Sequence, residues 1–188
     1  MKRIGILGGI GSGKSFVAQI FGCPVFNADK EVSYLYKKDK KIFNKLKKSL
    51  PKYFNKFPVN KNDVTRAILD KDQNLKKIIE IIHLEIRKKM NKFLKKNKNK
   101  KFVVLDIPLL LENEINRKGD ILVFVDSKKN DVLKRLKKRR NFNFKILKKF
   151  QNIQLSLDYK KKKSKFIIKN DFTKKTATKY VKHILKQI

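Results

Sequence analysis

Five short apolar runs punctuate the chain: RIGIL (3–7), PVFN (24–27), KFVVLD (101–106), ILVFVD (121–126) and KFIIK (165–169). They are rich in Val, Ile, Leu and Phe and too short for helices, so each predicts a strand. Between them the apolar positions recur at helical spacing. Leu75, Ile78, Ile79, Ile82 and Ile86 form one stripe, and Ile146, Leu147, Phe150, Ile153 and Leu157 a second. Ala177, Tyr180, Val181, Ile184 and Leu185 form a third, behind Asp171 and Thr173 as expected caps. Strands alternating with helices predict an α/β fold whose mainly parallel sheet is covered on both faces.

One connection exceeds what a crossover needs. Residues 28–100 lie between the second and third runs, where about a dozen would close a parallel pair. The surplus predicts several helices in a satellite lobe, divided by Pro51 and Pro58. The tract KKMNKFLKKNKNKK (88–101) reads as a solvated helix end and loop. A chain of 188 residues is expected to form a single domain, 1–188, carrying that lobe.

Composition changes the picture in one respect. The net charge is +35, a load that in a less apolar chain would suggest disorder. Here 40% of residues are hydrophobic and they fall in periodic runs, so a folded core is expected. Only seven of the 51 basic residues are Arg. Readers of nucleic acid lean on Arg for bidentate contacts, so scattered Lys argues for compositional bias and against specific nucleic-acid binding. The lone Cys23 excludes a disulfide framework. No apolar run approaches the length of a membrane span, and the first strand leaves no room for a leader. The expectation is a cytoplasmic monomer with no membrane partner.

Between the first strand and the FVAQIF helix lies GGIGSGKS, Gly8 to Ser15, which matches the phosphate-loop pattern Gly-(x4)-Gly-Lys-Ser in full. Glycines let successive N–H groups turn inward as an anion nest. Gly8, Gly9, Gly11, Ser12 and Gly13 are the expected cradle for triphosphate, Lys14 the cation on the β- and γ-phosphates, and Ser15 the Mg²⁺ ligand. The tetrapeptide NKND (60–63) fits a guanine-reading pattern, but no strand leads into it and no Asp-x-x-Gly follows the loop. A GTPase is therefore disfavoured.

A kinase acting on a hydroxyl often sets a carboxylate beside it. Asp29 and Asp106 follow or end strands, the edge where open α/β sheets bind ligands. Each has a plainer reading. Asp29 could cap the next helix, and Asp106 could be a buried carboxylate supporting the loop. On a helix, Arg135 and Arg139 would share a face and could stabilise charge on a transferred phosphoryl group.

GILGGIGSGKS, FNADKEV, DIPLLLE, LKRLKKRR and QLSLDYKKKKSKFIIKND occur in that order. Together they resemble the dephospho-coenzyme A kinase family, over nearly the whole chain to about Asn170. The resemblance implies a three-layer P-loop kinase fold with a helical substrate-binding insert at 31–97 and a small helical lid at 134–150. It implies ATP-dependent phosphorylation of the ribose 3′-hydroxyl of dephospho-coenzyme A, with Mg²⁺. Asp29 would be the base, Arg139 would approach ATP, Arg66, His83 and Asp106 would contact the substrate, and Gln154 and the segment 165–170 would match a late family Gln and the Ile-x-Asn strand that follows it. The family's Asp-Ala-Asp reads Asn27-Ala28-Asp29 here, its His-Pro pair reads His83-Leu84, and Phe16 replaces a Thr. The rival readings are another small-molecule kinase, for nucleoside monophosphates or sugars, and a basic nucleic-acid-binding protein that keeps the loop.

Overall fold

All five predicted strands form: β1 (Lys2–Leu7), β2 (Val25–Asn27), β3 (Phe102–Asp106), β4 (Ile121–Asp126) and β5 (Phe166–Lys169). They join one sheet in the order β2-β3-β1-β4-β5, and every pairing is parallel. The computed structural model describes residues 1–139 and 142–188; Arg140, inside the expected lid, lies outside the described residues. The helices are α1 (Lys14–Ile20), α2 (Ala28–Lys38), α3 (Lys40–Ser49), α4 (Lys61–Asp70), α5 (Asp72–Lys96), α6 (Lys129–Lys137), α7 (Phe144–Asn152), α8 (Leu157–Lys163) and α9 (Lys174–Lys186).

The chain divides into two compact units. The first holds residues 1–27, 97–143 and 151–188, and the second holds 28–96 and 144–150. In the first unit, Ile4, Ile6, Val104, Val123, Val125 and Ile168 line one sheet face under Val17, Ala18 and Phe21 of α1 and Ala177, Val181 and Ile184 of α9. On the other face Leu110, from the β3–β4 connection, closes over Gly5, where an added Cβ would lie 2.6 Å from its Cδ2. Strands covered on both faces are apolar at most positions, which is why they read as near-continuous runs.

The second unit is helical. Asp39 caps α3, its Oδ1 accepting from Lys41 N and Ile42 N. Asn60 caps α4, accepting from Asn62 N. The α5 stripe buries Leu75, Ile78, Ile82 and Ile86 and continues through Met90 and Leu94, so the basic tract after Lys88 still contributes to the core. Ile79 is only half-buried. Leu35, Ile42, Leu46, Ala67 and Ile68 supply the buried faces of α2, α3 and α4.

The second predicted stripe is not one helix. It breaks after Asn152, and α8 starts afresh at Leu157. Ser156 Oγ accepts from Tyr159 N, giving the new helix its cap, and Glu112 Oε1 takes the Leu155 N–H out of any helical ladder. Leu157 is exposed in consequence.

Candidate active site

The site in the first unit is built where β1 ends. β1 is the central strand, flanked by β3 and β4, and Gly8 to Gly13 carry the chain from its carboxyl end into α1. Two glycines there are obligatory. A Cβ on Gly8 would lie 2.7 Å from Val125 O, and its φ is 144°. Gly13, the N-cap of α1, has φ 90°, and a Cβ there would lie 2.5 Å from Asn170 Nδ2. Gly9 lies against Leu157, and Gly11 against Leu136 and Val132 of α6.

Polar groups hold the loop from several sides. Ser12 is buried, and its carbonyl accepts from Asn170 Nδ2 at 2.8 Å and Ser127 Oγ at 2.9 Å. Lys14 Nζ lies over the loop, donating to Gly8 O at 3.1 Å and Gly9 O at 2.7 Å. Ser15 Oγ accepts from Asn27 Nδ2 at 3.4 Å, and the same amide donates to Asp106 Oδ2. Asp106 is 3% exposed. It is a buried, hydrogen-bonded carboxylate linked through Asn27 to the loop hydroxyl.

Beside the loop, the Arg135 guanidinium stacks on the Phe172 ring, 4.2 Å from its centroid. Phe172 adopts φ 67°, an unusual backbone for a bulky side chain. Arg139 is exposed beyond the end of α6, its N–H donating to Leu136 O. The helix stops at Lys137 and tightens, so the face expected to join Arg135 and Arg139 is not continued.

The second unit carries the other predicted residues. Asp29 is exposed in the first turn of α2, which begins at Ala28, so it sits inside that helix and does not cap it. Arg66 is exposed and pairs with Asp63 at 2.6 Å, one turn away on α4. His83 is half-buried on α5. Burial, helped by the Arg87 charge, holds its pKa below the ordinary histidine value, and its buried Nε2 has no hydrogen-bond partner.

Sequence reasoning assigns no role to the groups that brace the site. Asn170 closes the segment 165–170, which the resemblance matches to the family's late strand without giving this residue a task, and Ser127 is not singled out at all; both hold the loop. Lys160 is 1% exposed and pairs with Glu112 at 2.6 Å, yet it belongs to a run of four lysines and looks like its neighbours. Glu112 ends DIPLLLE, and its Oε1 also accepts from Leu155 N. Gln154 is half-buried in the connection between α7 and α8.

For a metal, the donor chemistry fits Mg²⁺: a loop hydroxyl at Ser15, a carboxylate linked to it, and phosphate oxygens to complete the shell. Among the described residues no group of three or more His, Cys, Asp and Glu could hold an ion by itself. Among the described residues, no helix is long and apolar enough to cross a membrane.

The family model for dephospho-CoA kinase matches residues 2–176. A dephospho-CoA kinase from Wolbachia pipientis wMel is 35% identical over 97% of this chain and 95% of its own length. Among solved structures, a Thermus thermophilus protein superposes with a TM-score of 0.80 at 21% identity, covering 100% of this chain and 97% of that one. A dephospho-CoA kinase from Campylobacter jejuni gives 0.62 at 20% identity, covering 99% and 96%. The fold is thus that of P-loop kinases, and by its sequence the chain belongs to the dephospho-CoA kinase family.

Proposed function

We propose that this chain transfers the γ-phosphoryl group of ATP to the ribose 3′-hydroxyl of dephospho-coenzyme A, giving coenzyme A and ADP. Its membership of the family supports the substrate pair. The observation that carries the chemistry is the braced phosphate loop, with Lys14 over it and the Ser15 hydroxyl at its end. The loop N–H groups and Lys14 bind the triphosphate and offset charge that grows on it during an in-line transfer. Ser15 would hold Mg²⁺, with Asp106 orienting that hydroxyl's surroundings through Asn27. The ion would offset negative charge that develops on the phosphates during transfer. Asp29 orients the acceptor hydroxyl and takes its proton. Residues 31–97 bind the acceptor, where Arg66 exchanges Asp63 for a substrate phosphate and the unpartnered His83 Nε2 makes a hydrogen bond to it. Residues 134–150 act as the lid that brings Arg139 towards ATP. The enzyme works as a cytoplasmic monomer.

The test is product formation from purified protein, ATP, Mg²⁺ and dephospho-coenzyme A, read by mass spectrometry. Coenzyme A is expected, and Lys14→Ala should abolish it. Asp29→Asn should lower kcat by about 10²–10⁴ while leaving ATP binding largely intact. Near-normal turnover in that variant would remove Asp29 from the role of base. ATP binding without product would redirect the search to other small hydroxyl acceptors.

A further inference from the structure

Asn170 directly follows β5 and opens the turn into α9, far from the phosphate loop in sequence and directly against it in space. It is 4% exposed, and its backbone N–H and both polar atoms of its side chain are engaged. Its N–H donates to Asp126 O at 2.7 Å, its Oδ1 accepts from Phe172 N at 3.1 Å, and its Nδ2 donates to Ser12 O at 2.8 Å. The first bond anchors the backbone and the second orients the side-chain amide, so its Nδ2 is held towards Ser12 O. Ser127 Oγ donates to the same Ser12 carbonyl at 2.9 Å.

Two donors on one loop carbonyl have a directional consequence. In a trans peptide the C=O and the following N–H point opposite ways. Holding the Ser12 carbonyl towards Asn170 and Ser127 therefore sends the Gly13 N–H away from them. Gly13 has φ 90° and could rotate, because glycine tolerates many backbone angles. A flipped 12–13 peptide would present a carbonyl oxygen where an anion needs a donor. The absent Cβ lets Asn170 press against this peptide: a Cβ on Gly13 would lie 2.5 Å from Asn170 Nδ2.

From this arrangement we infer that Asn170, seconded by Ser127, is a positioning residue that locks the Ser12–Gly13 peptide in the anion-binding orientation. The inference rests on the phosphate-loop reading above and adds to it the group that makes the nest rigid. It touches neither the acceptor nor the reacting atoms. Its loss should act on nucleotide affinity and leave the acceptor's KM alone.

The experiment measures binding of ATP and of inorganic tripolyphosphate by calorimetry, together with both KM values, kcat and melting temperature. The proteins are the unaltered chain, Asn170→Asp, Asn170→Ala, Ser127→Ala and the double alanine variant. A hydrogen bond of ordinary strength corresponds to roughly two- to tenfold in a binding constant. Asn170→Asp sets a carboxylate against the carbonyl and should weaken both anions about tenfold or more, with the KM for dephospho-coenzyme A at saturating ATP unchanged. Ser127→Ala should weaken them about two- to threefold, because one donor remains. The double variant should lose more than the product of the single losses. Unchanged anion affinity in Asn170→Asp with a lower melting temperature would overturn the inference, and so would equal rises in both KM values. Should the Asn170 variants fail to fold, Ser127→Ala decides: unchanged anion binding overturns the inference and weaker binding at unchanged melting temperature supports it. Failure of the unaltered chain to bind either anion would overturn the phosphate-loop reading and this inference together. Anion binding by the unaltered chain with indifferent variants overturns this inference alone.

Discussion

Arg3 and Asp120 show what a single buried residue does here. Their side chains are 7% and 5% exposed, with Nη2 and Oδ2 2.9 Å apart. Arg3 also donates to Ile115 O, and Asp120 accepts from Arg117 N. Burial lowers the Arg3 pKa and raises that of Asp120, in each case against the pull of its partner. The pair thus carries a desolvation cost that its attraction only offsets, and two guanidinium nitrogens, Nε and Nη1, find no partner. Its structural effect is to close the β3–β4 connection onto β1, the strand that feeds the phosphate loop. Removing one partner should be far worse than removing both. Asp120→Ala strands a buried cation and should cost about 3–5 kcal/mol in denaturant unfolding, whereas Arg3→Met with Asp120→Leu should be close to neutral.

At the level of elements, the turn into α9 joins helix stability to the site. Thr173 Oγ1 accepts from Thr176 N as the N-cap. Asp171 accepts from Thr173 N and from the hydroxyls of Thr173 and Thr176. The Thr173 N–H first, then those two hydroxyls, hold the Asp171 carboxyl below the usual carboxylate range. A depressed carboxyl stabilises the fold fully above its unfolded pKa, and this is lost as pH falls through the folded value. Asp171→Asn should therefore lower stability at neutral pH and flatten the loss of stability below about pH 4, seen in unfolding curves across that range. Thr173→Ala should cost about 1 kcal/mol. The same turn carries Asn170 and Phe172, so a frayed α9 start should also raise the KM for ATP. How far secondary structure could be read differed between elements. The Asp171–Thr173 start of α9 was legible because a cap is a local signal. The gap between α7 and α8 was not, because Ile153 and Leu157 continue the helical period and the break depends on Glu112 from another segment.

Charge acts on the whole molecule. The 16 acids offset only part of the 51 basic residues, and the net charge of +35 that remains repels itself. The lysines lie mostly on exposed positions, where solvent screens them. Melting temperature should rise as NaCl is raised from about 10 mM to about 150 mM, where the Debye length falls from about 30 Å to about 8 Å. A fall over that range would mean that attractive surface pairs outweigh the repulsion. Retention on polynucleotide at physiological salt should be weak with a shallow salt slope.

The sequence alone determined the five strands, the satellite helices between β2 and β3, and the phosphate loop. Strands buried on both faces are apolar at most positions, and an anion nest needs its glycines, Lys and Ser within one short stretch. These are local demands, and local demands leave contiguous patterns. Tertiary structure alone decided the strand order and the contacts that depend on it. Asn170 and Ser12 are 158 positions apart and meet because the chain brings the end of β5 to the loop. Lys160 differs from Lys161 only in facing inward to Glu112, while Lys161 reaches Asp126 at the surface. A hydrogen bond or ion pair across such distances constrains two residue types but no spacing, so nothing periodic records it in the chain.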